Sequence, residues 1–560
     1  MADSKANPIQ QKITKLQREG EERAAERLAE ELNLPYVNLG SAPVSIEAIK
    51  LIREEEAKKA GVAAITLSGK QVALVASNPE SPETKKIIQD LENKKYLVKV
   101  FVSSLSGIRE AWHFYQFLLS KSDEEITGSV DIEKEHFEEF VKKWASLDEF
   151  RKEMNEGEFA RMKTTDLVEM ILAQAIASRA SDVHFEALEG KSKIRFRIDG
   201  ILHDVIDNLP IKNYINLISR IKLLSSMKIN VRGTPQDGRF TIHLVQKDIE
   251  IRVSVIPSRF GETIVMRILD PSAIGVGLPE LGLREDDLKL VYKQLTKPNG
   301  LILNTGPTGS GKTTTLYAFL KYLSSSEKKI ITIEDPIEYH LDGIEQTQVD
   351  ASASYTFDKG LRAIVRQDPD VILVGEIRDL ETAEIAMQAA LTGHVVLSTL
   401  HTNDAVGAVP RLVDLGVKTA TIGPALGLII AQRLVRRLCD DCKQKAEMPK
   451  EEESKIKKFL DKLPSRVDRQ NFAKGLNIYK PKGCKSCNNF GFRGRIGIFE
   501  FLEAGSKFEE VILEEASEVA LKKLGESQGM VKMQEDGILK ALLGITTFEE
   551  VEEITGPIEW

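Results

Sequence analysis

Within residues 301–316, LILNTGPTGSGKTTTL, Gly306, Gly311, Lys312 and Thr313 stand at the spacing G-x-x-x-x-G-K-[ST]. Each residue type has a reason to be there. Glycine lets the backbone curl until successive N–H groups point at one centre, and a side chain inside that curl would block a phosphate. A helix starting near Lys312 would aim its positive end at the same centre. Lys312 then reaches the β- and γ-phosphates, and the Thr313 hydroxyl is placed to ligate Mg²⁺. The expected nucleotide contacts are Gly306, Pro307, Thr308, Gly309, Ser310, Gly311, Lys312, Thr313 and Thr314. The bland alternative is a glycine-rich turn with no ligand. Strand-like residues before the turn and helical ones after it argue for a bound nucleoside triphosphate instead.

Two acid-tipped strands follow. KIITIEDPIE (329–338) ends in Glu334, Asp335 and Glu338, carboxylates that beside a phosphate loop can orient or deprotonate an attacking water. DPDVILVGEIRD (368–379) delivers Glu376 and Arg378 from an apolar strand, the Walker B placement that holds Mg²⁺ directly or through water. Either alone reads as a parallel strand with a solvated tip; their order after the loop favours a site. Arg362 and Arg366 are four apart and predict one helix face. Arg252 and Arg267 fall in strand-like segments upstream, and phosphoryl transfer needs cations that arrive as a site closes. His394 and His401 flank the apolar stretch of LTGHVVLSTLHTN, where structural and functional readings stand level.

Cys439 and Cys442, then Cys484 and Cys487, form two C-x-x-C knuckles. Two knuckles supply four thiolates, a closed tetrahedral set for structural Zn²⁺ with no position left for catalysis. Residues 443–483 form a longer spacer than the common run of about 15–20 and predict a hairpin-like excursion. A redox pair or four unrelated thiols are the competing readings.

These groups need elements to hold them. A chain of 560 residues with 42% hydrophobic and 29% charged composition implies several globular domains. It has no apolar run of membrane-spanning length, and its polar start lacks a signal-peptide core, so a cytosolic location is expected. The net charge of -8 argues against a general nucleic-acid binder. Residues 1–24 read as a polar helical start and 25–118 as a small α/β docking domain. Within that domain, 46–61 is helical and two strands meet at a Ser68-Gly69 turn. Residues 119–158 read as a charged linker that lets this domain swing. A second domain spans 159–272, the ATP domain 273–435, the tetracysteine region 436–500, and a helical region 501–560.

In order along the chain come ASDVHFE, RFRIDG, PQDGR, GPTGSGKT, ITIEDPIE, DPDVILVGEIRD, TGHVVLSTLHTN, the cysteine pairs and the stretch from Gly529 through GITT. Together they resemble the type II secretion and type IV pilus assembly ATPases, the GspE/PilB type of secretion motor. The resemblance covers nearly the whole chain and is strongest from about 165 to 555. It implies a multidomain α/β fold: a RecA-like P-loop ATPase domain preceded by a PAS-like α+β domain and the N-terminal docking domain. It also implies ATP, Mg²⁺ and Zn²⁺ as cofactors. The implied assembly is a ring-shaped homo-hexamer moving an inner-membrane platform protein, with an adaptor gripped by 25–118, at the inner face of the membrane. Carried over by residue, Glu338 resembles the catalytic base, Glu376 the Walker B acid, and Arg252 and Arg267 the arginines that engage the nucleotide on ring closure. Glu334, Asp335, Arg362, Arg366, Arg378, His394 and His401 fall in supporting positions. KINVRGT (228–234) departs from the family's acidic segment. The N-terminal stretch does not show the repeat that binds cyclic di-GMP in some members, so that ligand is not predicted. The tetracysteine element and N-terminal domain set the chain apart from the retraction motors. Pilus assembly is the leading reading. Type II secretion is the alternative with the same chemistry, and a DNA-translocating motor or a non-hydrolysing switch lies further off.

Overall fold

The computed structural model describes residues 8–560 apart from 41, 43, 119–128, 132–136, 138, 141–142, 145, 157–161, 245–246, 272–274 and 474. Residues 1–7 of the polar start, much of the 119–158 linker and the boundary expected at 272/273 lie outside the described residues. The chain divides into two units, Met1–Ile268 and Leu269–Trp560.

In the first unit, small and β-branched residues in VAAITLS and QVALVA build a three-stranded sheet of β1 (Val62–Ser68), β2 (Gln71–Ala76) and β3 (Leu97–Val102). The helix Pro8–Glu31 crosses the expected 24/25 boundary, packs Ala25 and Ala29 against Val102, and pairs Arg18 with Glu110 at 2.8 Å. It belongs to the domain it was expected to precede. Residues 46–61 make two short helices, Ile46–Ile49 and Glu54–Ala60, not one. Three glutamates suit the second helix's start, and Gly61 ends it in a left-handed conformation (φ 63°).

The second sheet of this unit has seven strands. They are β4 (Ser129–Asp131), β5 (Ala180–Leu188), β6 (Lys191–Ile198), β7 (Ile201–Leu209), β8 (Gln236–Leu244), β9 (Lys247–Ser258) and β10 (Gly261–Leu269). Their spatial order is β4-β8-β9-β10-β5-β6-β7. The described parts of the 119–158 segment are packed rather than free. β4 pairs in parallel with β8, and the helix Leu147–Asn155 buries Leu147, Phe150 and Met154. Asn155 donates to Val205 O (3.2 Å) and accepts from Asp207 N (2.9 Å) on β7. Leu223 and Ile229 are buried within the apolar cluster of the three-stranded domain, and Asn230 donates to the carbonyls of Leu39 and Ala42. Thus KINVRGT is where the two domains of this unit meet, in place of the swinging linkage read from charge density.

In the second unit, central strands apolar on both faces, with the polar strand Glu345–Gln348 at one edge, make a mostly parallel sheet. Its members are β11 (Gly300–Thr305), β12 (Ile330–Glu334), β13 (Glu345–Gln348), β14 (Val371–Val374), β15 (Val395–Leu400) and β16 (Leu426–Leu438). A separate ribbon pairs β17 (Gln444–Ala446) with β18 (Ile478–Lys480), and β19 (Phe492–Glu503) returns to the main sheet. The sheet runs β13-β12-β14-β15-β11-β16-β19, with only β19 antiparallel, paired to β16 from Leu428↔Glu503 to Leu438↔Phe492. Residues read as tetracysteine and helical regions therefore close the edge of the ATPase sheet. Because β11, β12, β14, β15 and β16 are parallel, their carboxyl ends share one edge, where ligands of such sheets bind.

Candidate functional site

The phosphate loop leaves β11 at Thr305 and enters the helix Lys312–Leu323. Gly309 (φ 80°) and Gly311 (φ 89°) hold left-handed conformations, and a Cβ on Gly306 would lie 2.5 Å from the Gln432 carbonyl oxygen. Lys312, 9% exposed, donates to Gly306 O at 2.7 Å and Pro307 O at 3.1 Å. Burial holds its pKa below the ordinary lysine value, Glu376 acts to raise it and Arg433 to lower it. Thr313 and Thr314 are exposed on the first helical turn.

Among the acids, Glu334 and Glu376 have different surroundings. Glu334 is 4% exposed and accepts from Tyr317 OH (2.5 Å), Thr332 Oγ1 (2.6 Å) and Gln346 Nε2 (3.2 Å). Burial pushes its carboxyl pKa up, opposed by these bonds. Its oxygens are committed to holding β12 and β13 in place. Glu338 is half-buried. Glu376 follows β14, where Gly375 N donates to Ile333 O at 2.8 Å, and Asp379 caps the next helix by accepting from Thr382 N at 2.8 Å. The Glu376 carboxylate lies 2.9 Å from Arg378 Nε and 3.2 Å from His401 Nε2, while Arg378 Nη1 reaches Asp335 at 3.4 Å. The bond to Glu376 pushes the Arg378 pKa up.

The two histidines part company. His401 follows the carboxyl end of β15, beside Glu376. His394 precedes the same strand, its Nδ1 3.0 Å from Ala389 O and its carbonyl accepting from Gly300 N. Six intervening residues at about 3.3 Å each put it roughly 20 Å from the loop's edge of the sheet. It serves the strand's opposite end. Arg362 lies on the helix Phe357–Ile364, but that helix gives way to a 3₁₀ turn, Val365–Gln367, which carries Arg366; both arginines are exposed. Arg252 (β9) and Arg267 (β10) belong to the first unit, where their Nε atoms meet Glu250 and Asp182, each at 3.1 Å. The motif reading passed over Gln432 and Arg433 on β16, which have no pattern of their own and reach the loop only through strand pairing.

At the end of the β16–β19 pair, the four cysteine sulfurs lie within 4.8 Å of one another. Three Sγ···Sγ separations are 3.8 Å (Cys439–Cys484), 3.8 Å (Cys442–Cys487) and 3.7 Å (Cys484–Cys487). A tetrahedron of thiolates about 2.3 Å from zinc has edges of about 3.8 Å, so the cluster fits that ion. Cys484 N and Gly491 N each donate to Cys487 Sγ at 3.2 Å, which fixes that sulfur in the cluster. The β17–β18 ribbon with the helix Lys450–Lys462 forms the excursion between the knuckles.

A phosphate loop on a mostly parallel sheet, with acids at the neighbouring carboxyl ends, defines a P-loop ATPase of the α/β class. The family model described as "Type II/IV secretion system protein" matches residues 160–553. The type IV pilus assembly ATPase PilB of Myxococcus xanthus is 37% identical over 96% of this chain and 92% of its own. The type II secretion system ATPase E of Vibrio cholerae is 45% identical over 70% of this chain and 75% of its own. Among solved structures, the Legionella pneumophila ATPase DotB aligns with a TM-score of 0.50 at 23% identity, covering 69% of this chain and 95% of that one, a likeness of fold. The chain belongs to the type II/IV secretion system protein family, whose ATPases work as secretion motors.

Proposed function

We propose that this chain powers type IV pilus assembly as a homo-hexameric ATPase at the inner face of the cell membrane. The observation that carries this reading is coverage. Similarity to the pilus assembly ATPase of Myxococcus xanthus extends over 96% of the chain, against 70% for the type II secretion ATPase of Vibrio cholerae. The higher identity of the latter, 45% against 37%, supports the second reading, a type II secretion motor with the same chemistry. The net charge of -8 weighs against a DNA-translocating motor.

In this reading Lys312 and the loop amides hold the phosphates, while Thr313 and Glu376 would hold Mg²⁺. The bound ion would neutralise charge on the β- and γ-phosphates. Water attacks the γ-phosphorus, the bond to the ADP oxygen breaks, and Glu338 takes the water's proton. Glu334 is ruled out of that task by its three donors. Arg378 and His401 orient Glu376. Arg252 and Arg267 supply cations when the ring closes, with Arg362 and Arg366 as further candidates. The four cysteines hold structural zinc, and residues 25–118 grip the platform protein or its adaptor.

The test is Lys312→Ala in the host, with surface pili and secreted proteins scored together. Lost pili with normal secretion supports the proposal. Lost secretion with normal pili favours the second reading, and no change in either refutes the motor.

A further inference from the structure

Thr305 lies beside Ala431 in the parallel pairing of β11 and β16, so the next residues of β16 run alongside the phosphate loop. Gln432 is 2% exposed and its Oε1 accepts from Asn304 Nδ2 (2.9 Å) and Thr315 Oγ1 (2.8 Å), clamping the strand before the loop to the helix after it. Arg433 comes next. A Cβ built on Gly306 would lie 3.2 Å from its Nη1, so the guanidinium stands against the loop's first residue. Among the described residues its acceptors are neutral: Nη1 donates to Gln432 O (3.2 Å), and Nη2 to Asn403 O (3.1 Å) and Asn403 Oδ1 (3.3 Å). Among the described residues no carboxylate lies within ion-pair distance of it. Burial holds its pKa below the ordinary arginine value, with Asp404 and Glu500 acting in the other direction.

Lys312 is in the same condition, bonded to the carbonyls of Gly306 and Pro307 and, among the described residues, to no carboxylate. A buried lysine and a partly buried arginine thus converge on Gly306, with no carboxylate paired to either among the described residues. A desolvated charge without a counter-charge is unfavourable, and a phosphate oxygen supplies one. Lys312, parked on the first two loop carbonyls, is the group that reaches the β- and γ-phosphates. Arg433 shares that end of the loop, and its planar fork still has donors to offer.

We propose that Arg433 binds the terminal phosphate of ATP from the same chain that carries the phosphate loop. This rests on the ATPase reading of the site. The test uses the purified full chain, titrated with a non-hydrolysable ATP analogue and with ADP, comparing wild type, Arg433→Gln and Arg433→Lys alongside thermal melts. A charge-assisted hydrogen bond corresponds to about tenfold or more in affinity. Arg433→Gln is expected to lose about that much for the triphosphate analogue while ADP changes by less than about threefold, with Arg433→Lys in between. An equal loss for both nucleotides, or none for either, overturns the proposal. Should the Gln variant fail to melt cooperatively, the Lys variant carries the same criterion of selective loss for the triphosphate. Wild-type protein that binds neither nucleotide would instead refute the ATPase reading, a result separate from either outcome for Arg433.

Discussion

Replacing Glu334 and Glu338 one at a time with alanine separates two carboxylates that stand four residues apart. Glu334→Ala strips the acceptor from three donors, Tyr317 OH, Thr332 Oγ1 and Gln346 Nε2, around a site that is 4% exposed. Each buried donor left unsatisfied costs about 1–3 kcal/mol. Removing a carboxyl group whose burial is itself unfavourable offsets part of that, leaving about 2–5 kcal/mol of destabilisation. For a unit of this size that is roughly 3–8 °C in melting temperature. Half-buried Glu338 should behave in the opposite way, with a melt close to wild type and turnover reduced by about 100-fold or more. The assay is a thermal melt beside steady-state ATP hydrolysis well below the variants' transitions. A Glu334→Ala melt within about 2 °C of wild type, or a Glu338→Ala protein that hydrolyses ATP normally, would refute the division of labour. The pH dependence has a definite sign. The Glu334 carboxyl pKa is raised above its ordinary 4.5 in the folded state, so its contribution to stability is present below 4.5 and lost as pH rises through the raised value. Glu334→Gln should flatten that component of the stability–pH curve.

The histidines give a second test. His401→Ala should lower turnover by about tenfold, because it frees a Glu376 oxygen now 3.2 Å from the ring, whereas His394→Ala should leave turnover within about twofold. The cysteine cluster gives a third. Metal analysis of the purified chain should find one zinc per chain, and Cys442→Ser should release it and destabilise the β16–β19 end of the sheet; a metal-free chain with an unchanged melt would refute the structural zinc site.

Much of this molecule is local and therefore legible in the order of its residues. The phosphate loop needs glycine, lysine and threonine at fixed spacing because one turn of backbone builds it, and each C-x-x-C knuckle is likewise a single turn. The apolar runs of β11, β14 and β15 announce strands covered on both faces. Tertiary structure decided what depends on neighbours distant along the chain. Glu334 and Glu338 are both acids at a strand's end, and only the packing of Tyr317 and Gln346 around one of them tells the locked carboxylate from the half-buried one. His394 and His401 share a motif, yet a strand's length and direction put them at opposite edges of the sheet. Charge density in 119–158 read as a linker, because neither the pairing of Ser129–Asp131 with β8 nor the buried contacts of Leu147, Phe150 and Met154 shows in composition. Arg433 meets Gly306 because β16 pairs with β11, an adjacency between segments more than a hundred residues apart that a parallel sheet creates and no spacing in the chain records.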